Sequence, residues 1–208
     1  MHCLMCGLEK GDGDIIDILE NDDPLCHTCR SSLKHVRFRM KFYGYKLYAS
    51  YVYDDAFAKI LVQYKECFDE ALKTVFLYPF RWWFMIRFFG YTVCYLPSSK
   101  EKIANRGFHH LEKMFSSLSL RQADLFEKVN DFDQKNRSVE ERMRMADNIA
   151  LKKDCVVPKK VLLVDDTITT GASLLGALRC LEDYDCKIVI YVVSVNHLWL
   201  KKPKIFEK

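Results

Sequence analysis

VLLVDDTITTGAS, the stretch from Val161 to Ser173, decides the fold of this chain. Its first four residues are apolar, which is typical of a strand buried on both faces. Residues 172 to about 181 have the pattern of a helix, and the apolar run 187–193 indicates another buried strand. A strand, a helix and a strand in this order form a βαβ unit, so the sequence predicts an α/β fold with a parallel sheet.

The residues after this first strand are the candidate ligand site. In open α/β sheets, ligands bind beyond the carboxyl ends of the strands, and residues 165–171 are predicted to lie there. The loop leads into a helix N-terminus, where free amides and the positive end of the helix dipole favour an anion such as a phosphate. Gly171 lets the backbone approach closely. The hydroxyl groups that add donors belong to Thr167, Thr169, Thr170 and Ser173.

Asp165 and Asp166 need a different partner, because two carboxylates would repel a phosphate. Ribose hydroxyls donate to carboxylates, so a ribose 5-phosphate suits both halves of the segment. The simpler alternative is a core strand followed by a polar turn and a capped helix. That alternative does not explain three threonines, a glycine and a serine placed directly after paired acids.

The string is similar to the signature of type I phosphoribosyltransferases, in which four apolar residues precede two acids and a Thr-Thr-Gly loop. The match has no gap. The resemblance implies a parallel sheet flanked by helices and a phosphoribosyl pyrophosphate-type ligand at the residues named above.

Four cysteines near the N-terminus form two pairs, Cys3-x2-Cys6 and Cys26-x2-Cys29, separated by 19 residues. This spacing is typical of a zinc site, and four thiolates enclose Zn²⁺ with no position left open for catalysis. The segment has too few apolar residues to form a core, so a metal would supply its stability. Unrelated buried thiols are the alternative. We predict a zinc-binding module over 1–35 and a phosphoribosyltransferase-like domain over 36–208.

Composition narrows the class of protein. The chain has 208 residues, a net charge of +4 and nine cysteines, which fits one full domain with a small appendage. The first residues lack the basic and apolar runs of a secretory signal, so a cytoplasmic location is expected. The apolar stretch 75–89 is interrupted by Pro79, Arg81 and Arg87. We predict a buried helix there rather than a membrane span, and a membrane-surface helix is the open alternative.

The segment 36–42 alternates apolar and basic residues, which predicts a strand with one basic face. Gly44 suits a turn, and 47–53 reads as a returning strand rich in aromatic residues. The basic face and the neighbouring tyrosines combine charge and stacking, as single-strand nucleic-acid binders do, although a solvated strand face is the alternative. The candidate nucleic-acid residues are Arg37, Arg39 and Lys41.

Other elements follow from capping and apolar patterns. We predict helices from Asp54 or Asp55 to Tyr64, from about Asp69, over 107–115, and from Ser138 with Glu141 to near Asp147. A strand is predicted over 91–96, a polar loop over 98–105 and a short strand over 123–129.

A four-cysteine knuckle before a phosphoribosyltransferase-like domain is similar to the ComF family. Lys65 in the string QYKE matches the family's lysine, and Arg106-Gly107-Phe108 matches its RGF motif. In related folds these regions approach the pyrophosphate and its Mg²⁺, which need donors and compensating charge. The resemblance implies that Lys65, Arg106, Asp165 and Asp166 form the catalytic set.

The chain also departs from the family pattern. His109-His110 follow the RGF motif, where the family commonly has asparagine. Gln134 and Arg142 resemble residues of the family's variable loop, but Asn148 lies at a wider spacing.

Three functions are compatible with these residues. The ComF resemblance implies an accessory role in handling single-stranded DNA during natural transformation, with a DNA helicase or other competence proteins as partners. The rival is an active transferase that moves ribose 5-phosphate to a nucleobase or amine and releases pyrophosphate, although the sequence shows no recognisable acceptor pocket. A regulator that only senses phosphoribosyl pyrophosphate is the third.

Overall fold

The structure is a computed structural model that describes residues 2–10, 22–129 and 149–201. Its strands are β1 His35–Phe42, β2 Tyr45–Val52, β3 Thr92–Tyr95, β4 Arg121–Ala123, β5 Phe126–Lys128, β6 Ile149–Leu151, β7 Lys160–Ile168 and β8 Lys187–Val195. Its α-helices are α1 His27–Ser32, α2 Asp55–Glu66, α3 Arg81–Arg87, α4 Lys100–Arg106, α5 His110–Ser116, α6 Ala172–Cys180 and α7 His197–Lys201. Two 3₁₀ turns, Glu70–Thr74 and Tyr78–Phe80, connect α2 to α3.

The central sheet has the order β1-β2-β8-β7-β3-β4, and every pair except β1 with β2 is parallel. The unit β7-α6-β8 is the predicted βαβ unit, with Val164 opposite Tyr191 in the register. Both central strands are almost wholly buried, which explains their apolar sequences. The α/β class and the mostly parallel sheet are therefore confirmed.

Strands β1 and β2 form a hairpin at one edge of the sheet, and β2 pairs with β8. Tyr43 and Gly44 both have positive φ, 48° and 84°, as a two-residue hairpin turn with the strands' twist requires. The basic residues of β1 alternate with buried or half-buried apolar residues, and Arg37, Arg39 and Lys41 are exposed as predicted. The hairpin thus places its cations on one face.

Helix α2 follows from its cap and its apolar spacing. The Asp54 carboxylate accepts a hydrogen bond from the Phe57 amide at 3.1 Å. The buried side chains are Phe57, Ile60, Leu61 and Tyr64, which lie on one helix face. The helix ends beside the carboxyl edge of the sheet and carries Lys65 there.

Some predicted elements were wrong. Residues 98–105 were predicted to be a loop, but they contain α4, capped by the Ser99 hydroxyl at the Lys102 amide and ended by Gly107 with φ 82°. Serine before a helix and glycine after it are its start and stop signals. The predicted helix from Asp69 is a 3₁₀ turn, and the predicted strand 123–129 is divided between β4 and β5. The predicted helix from Ser138 to Asp147 lies outside the described residues.

The acids of the quoted stretch also lie differently from the prediction. They were placed in a loop beyond the strand, but β7 continues to Ile168, with Asp165 opposite Val192 and Thr167 opposite Ser194. The hydroxyl groups of Thr167 and Ser194 form a hydrogen bond at 2.7 Å. Their polar side chains are therefore satisfied within the sheet, and the strand continues through them. The true loop before α6 is therefore short, 169–171.

The apolar stretch 75–89 is only partly buried. Val75, Phe84 and Phe88 belong to the core, while Trp82 and Ile86 are exposed on the outside of α3. Within the described residues, no helix has the length and apolar character needed to cross a membrane.

The N-terminal segment packs on the main sheet. Cys3, Leu25 and Leu33 are buried in the same apolar core as the sheet residues. Arg30 donates to the main-chain oxygen of Val75 at 2.8 Å and to the Tyr51 hydroxyl at 3.2 Å. The segment is thereby fixed to β2 and to the residues that follow α2.

Candidate functional site

Ionisable side chains from four elements of the chain meet at the carboxyl edge of β7. Lys65 comes from the end of α2, Arg106 from the end of α4, His110 from the start of α5, and Asp166 from β7. Arg106, His110 and Asp166 are all buried. Buried charges need partners, and these four residues supply them to one another.

Asp166 is the centre of this group. Its Oδ2 accepts hydrogen bonds from the Lys65 ammonium at 2.6 Å and from the His110 ring Nε2 at 2.8 Å. Burial alone would raise the pKa of Asp166, but the His110 hydrogen bond and the Lys65 charge outweigh it and hold that pKa well below its usual range. Asp166 is therefore ionised.

The contacts of His110 define its tautomer. An Arg106 guanidinium nitrogen lies 3.1 Å from Nδ1, and arginine can only donate, so Nδ1 is the acceptor. The proton then lies on Nε2, which donates to Asp166. Burial, opposed by the Asp166 hydrogen bond, lowers the pKa of His110, in agreement with a neutral ring. His110 connects the guanidinium to the carboxylate.

Arg106 also fixes the end of α2. Its Nε donates to the main-chain oxygen of Lys65 at 2.6 Å, and its guanidinium lies 3.6 Å from the Glu66 carboxylate. The Tyr64 hydroxyl donates to the main-chain oxygen of His110 at 2.7 Å. These contacts hold the QYKE and RGF segments together, as the family resemblance implied for a shared site.

Asp165 is in the opposite electrostatic situation to Asp166. Burial and the neighbouring Asp166 charge raise its pKa to about 8. Its Oδ1 accepts a hydrogen bond from the Asp166 amide at 2.8 Å. One member of the acid pair is thus ionised at neutral pH, and the other is largely protonated.

A cavity of about 160 Å³ opens over this group. Its cationic side chains are Lys65, Lys102, Arg106 and Lys128, and its two carboxyl groups are Asp165 and Asp166. Four cations facing two carboxyls, one of them largely protonated, make a positive cavity of the kind that holds a polyanion. His110, Lys102 and Lys128 were not among the residues predicted for the site.

The hydroxyl-rich segment takes a smaller part in the cavity than predicted. Ser173 lies in the cavity wall, and Thr169 and Thr170 are exposed. The Thr170 hydroxyl accepts from the Ala172 amide at 3.3 Å at the start of α6. Gly171 has a φ of 79°, and a Cβ atom added to it would lie 2.9 Å from the Phe42 ring. Packing and backbone conformation therefore already require that glycine.

A second cavity of about 310 Å³ adjoins the first and shares Ser98, Ser99 and Lys128 with it. Its wall includes Phe126 and His109. The Nε2 atom of His109 is buried and has no hydrogen-bond partner within the described residues. The space beside the positive cavity therefore offers a ring surface and an unsatisfied polar atom.

The four predicted zinc ligands are brought together. The sulfur atoms of Cys3, Cys6, Cys26 and Cys29 all lie within 4.8 Å of one another. The Cys6 and Cys26 sulfurs are 3.9 Å apart, too far for a disulfide. Zn–S bonds of about 2.3 Å in a tetrahedron separate the sulfurs by roughly 3.8 Å, so the cluster fits a zinc ion.

A groove of about 620 Å³ lies along the edge strand β1. Arg37 and Arg39 line it together with Phe38, Tyr48 and Trp83. The Arg39 guanidinium lies 5.8 Å from the Tyr48 ring centroid, within the range of a cation–π contact. Cations and aromatic rings thus share one concave surface.

Comparison with known proteins agrees with the fold and with the sequence motifs. The family model described as a phosphoribosyl transferase domain matches residues 103–207, half of the chain. The chain belongs to this family.

Among curated proteins, the chain is similar to Competence protein ComFC of Streptococcus pneumoniae, with 26% identity over 214 residues that cover 91% of this chain and 97% of that protein. It is also similar to Competence protein ComFC of Bacillus subtilis, with 23% identity over 211 residues that cover 86% of this chain and 88% of that protein. The resemblance to the ComF family is confirmed.

Proposed function

We propose that this chain is a ComF-type competence protein that binds a phosphoribosyl pyrophosphate-type ligand in the positive cavity. The observation that carries the proposal is the meeting of Lys65, Arg106 and the two acids at the carboxyl edge of β7. The similarity to two ComFC proteins supports a role in DNA uptake and transformation. Such a role places the chain in the cytoplasm, where a competence helicase and other DNA-uptake proteins are its expected partners.

Each part of the ligand has a matching group. Ribose hydroxyls donate to Asp165 and Asp166, while Lys65, Arg106 and Lys102 neutralise the pyrophosphate. The 5-phosphate accepts hydrogen bonds from the amides and hydroxyls of residues 169–173, at the start of the nine-residue helix α6. Mg²⁺ accompanies pyrophosphate in water, and an ionised Asp165 offers it an oxygen ligand.

The binding step is tested by calorimetric titration of phosphoribosyl pyrophosphate into the full chain, with and without Mg²⁺. We expect saturable binding that Asp165→Asn weakens at least tenfold, because the amide is neutral, is a weaker acceptor for ribose hydroxyls and is a weaker ligand for Mg²⁺ than a carboxylate. The matched control is Asp185→Asn, since Asp185 is exposed at the opposite edge of the sheet, where it pairs with Lys159. Absence of saturable binding to the unsubstituted chain would refute the proposal.

Transferase activity is the second candidate, favoured by the 310 Å³ cavity that adjoins the ligand cavity. A nucleobase or amine held there would lie beside the ribose, and the cations would stabilise the leaving pyrophosphate as charge develops. Detection of released pyrophosphate across a panel of bases separates a binding protein from an enzyme. A regulator that only senses the phosphosugar would bind in the titration and release nothing.

Single-stranded DNA is the proposed ligand of the groove on β1. Arg37, Arg39 and the more distant Lys41 supply charge, and Trp83 and Tyr48 supply stacking surfaces. We expect Arg37→Ala with Arg39→Ala to weaken binding of an oligonucleotide and to make the salt dependence shallower. Two lost phosphate contacts correspond to a change of about 1.4 in the slope of log K against log salt.

The control for this experiment removes the same charge elsewhere, with Lys153→Ala and Arg179→Ala, two exposed cations outside the groove. Fluorescence anisotropy with labelled oligonucleotide measures both pairs. An equal loss of affinity in the two double variants would show that only net charge matters and would remove the groove from the proposal.

A further inference from the structure

The outer side of α3 and the turn that follows it expose four large apolar side chains. Trp82, Met85 and Ile86 are 65%, 42% and 81% exposed, and their spacing of three residues and one residue places them on one helix face. Phe89, in the turn after α3, is 83% exposed. The inner side carries Phe84 and Phe88, which are fully buried. We call the four exposed residues the α3 apolar face.

The fold does not explain this face. Single exposed apolar residues are ordinary, but a continuous group of them indicates a contact surface. None of the four lines the phosphosugar cavity, the adjoining cavity or the groove on β1. The inner residues already satisfy the packing of α3, so the outer ones are available for another partner.

The stretch of chain that contains the face carries charge of one sign. The chain has no acidic residue between Glu70 and Glu101, and the cations within that stretch are Lys73, Arg81, Arg87 and Lys100. The Arg81 guanidinium lies 4.4 Å from the Tyr78 ring and 5.8 Å from the Trp82 ring. Within the part of the chain that the structure describes, no carboxylate forms an ion pair with Arg81 or Arg87. The stretch that carries the apolar face therefore contributes cations and no carboxylate to this side of the protein, while Asp22 and Asp23 of the N-terminal segment lie near Tyr78.

We propose that the α3 apolar face binds the surface of a membrane rich in anionic phospholipids. Trp82, Ile86 and Phe89 enter the boundary between headgroups and acyl chains, where tryptophan is favoured. Arg81 lies beside them at the level of the lipid phosphates, which attract cations near the surface. The binding is peripheral, because the described helices cannot span a bilayer.

Two other occupants fit less well. Single-stranded nucleic acid stacks on planar rings, but Met85 and Ile86 have none, and the ring-and-cation groove lies on the other side of Trp83. A second copy of the chain would place the Arg81 cations of both copies close together, and residues 71–99 supply no acid to offset them. An anionic lipid surface matches both the apolar and the charged parts of the face.

The experiment is co-sedimentation of the full chain with vesicles of phosphatidylcholine alone or mixed with phosphatidylglycerol. We expect binding to the mixed vesicles, at least tenfold weaker binding to phosphatidylcholine, and a blue shift of tryptophan fluorescence on binding. The triple variant Trp82→Ser, Ile86→Asn, Phe89→Ser should lose at least tenfold in vesicle affinity. Arg81→Gln should reduce binding to the mixed vesicles and leave binding to phosphatidylcholine unchanged.

The matched control is Val156→Ser with Leu198→Ser, which removes two apolar side chains that are 85% and 74% exposed elsewhere. It should bind vesicles as the unsubstituted chain does. Circular dichroism and titration with phosphoribosyl pyrophosphate check that each variant is folded. The proposal is overturned if the unsubstituted chain does not bind mixed vesicles, or if the triple variant binds them equally. It is also overturned if light scattering shows that the triple substitution only dissociates a dimer.

Discussion

At the scale of single residues, His110 determines how the cavity is charged. Its ring accepts from Arg106 at Nδ1 and donates to Asp166 at Nε2, so both neighbours keep their charge while the ring stays neutral. Protonation of Nδ1 would place a second donor against the guanidinium. A neutral histidine thus separates a buried cation from a buried anion, and all three side chains line the cavity.

Asp165 gives a prediction for the pH dependence of stability. Its pKa is raised to about 8 in the folded chain, above the usual value near 3.8, so folding is favoured while it is protonated and this contribution is lost as pH rises toward 8. Asp165→Asn removes the titrating group. At pH 8.5 we expect the melting temperature of the variant to exceed that of the unsubstituted chain by about 2–4 °C or more. A shift of this size corresponds to about 1 kcal/mol in the free energy of unfolding.

The same comparison at pH 4.5 should show a much smaller difference, because Asp165 is protonated in the folded chain there. Thermal melts of both proteins across this range make the measurement. A difference that does not change with pH would show that Asp165 is solvated and has an ordinary pKa.

Local signals predicted some site residues and could not predict others. The paired acids belong to a continuous string that stands out in the sequence itself, and the RGF motif was recognised through its resemblance to the ComF family. Lys102 lies in the first turn of α4 and Lys128 at the end of β5, and both reach the cavity only through the tertiary fold, which no local pattern in the sequence indicates. His110 stood in a string that was noticed, but its role depends on a contact with Asp166, 56 residues away.

At the scale of elements, the segment 169–171 shows how packing and ligand chemistry overlap. The glycine expected to approach a phosphate faces Phe42 and Trp199 across the sheet. The main-chain oxygen of Thr169 accepts from the Trp199 indole at 2.6 Å. The turn that presents amides at the start of α6 is thus shaped by β1 and α7, which sequence periodicity alone could not indicate.

Gly171→Ala tests this packing. Its φ of 79° disfavours any side chain, and a Cβ would lie 2.9 Å from two Phe42 ring atoms. We expect a loss of about 2–4 kcal/mol in the free energy of unfolding, measured by urea denaturation. Gly44→Ala is the control, since Gly44 has φ 84° but nothing within 4 Å of the Cβ position. The free energy of unfolding of this variant should fall by only about 1 kcal/mol, which is the cost of the positive φ alone. Equal losses would show that Phe42 moves away at no cost.

At the scale of the whole molecule, the cysteine segment and the sheet share one core. The Arg30 guanidinium binds Asp23 through two hydrogen bonds, Nε to Oδ2 at 2.9 Å and a terminal nitrogen to Oδ1 at 2.6 Å. It also reaches Tyr51 of β2, whose pKa burial raises to about 12. A buried arginine that joins the two parts loses its partners if either part unfolds, and an unpaired buried charge is strongly destabilising. The four-cysteine module and the domain are therefore expected to unfold together.

Loss of the proposed zinc ion should consequently destabilise the whole chain. We expect Cys26→Ser, or treatment with a chelator, to lower the single melting temperature by more than about 5 °C, because metal binding is coupled to folding and 1 kcal/mol corresponds to about 2–4 °C at this size. Metal analysis should find one zinc per chain before treatment. Cys67→Ser, at an exposed cysteine outside the cluster, is the control and should change neither value. Two separate transitions would contradict the shared core, and an unchanged melting temperature with full loss of zinc would show that the fold of the sheet is independent of the metal.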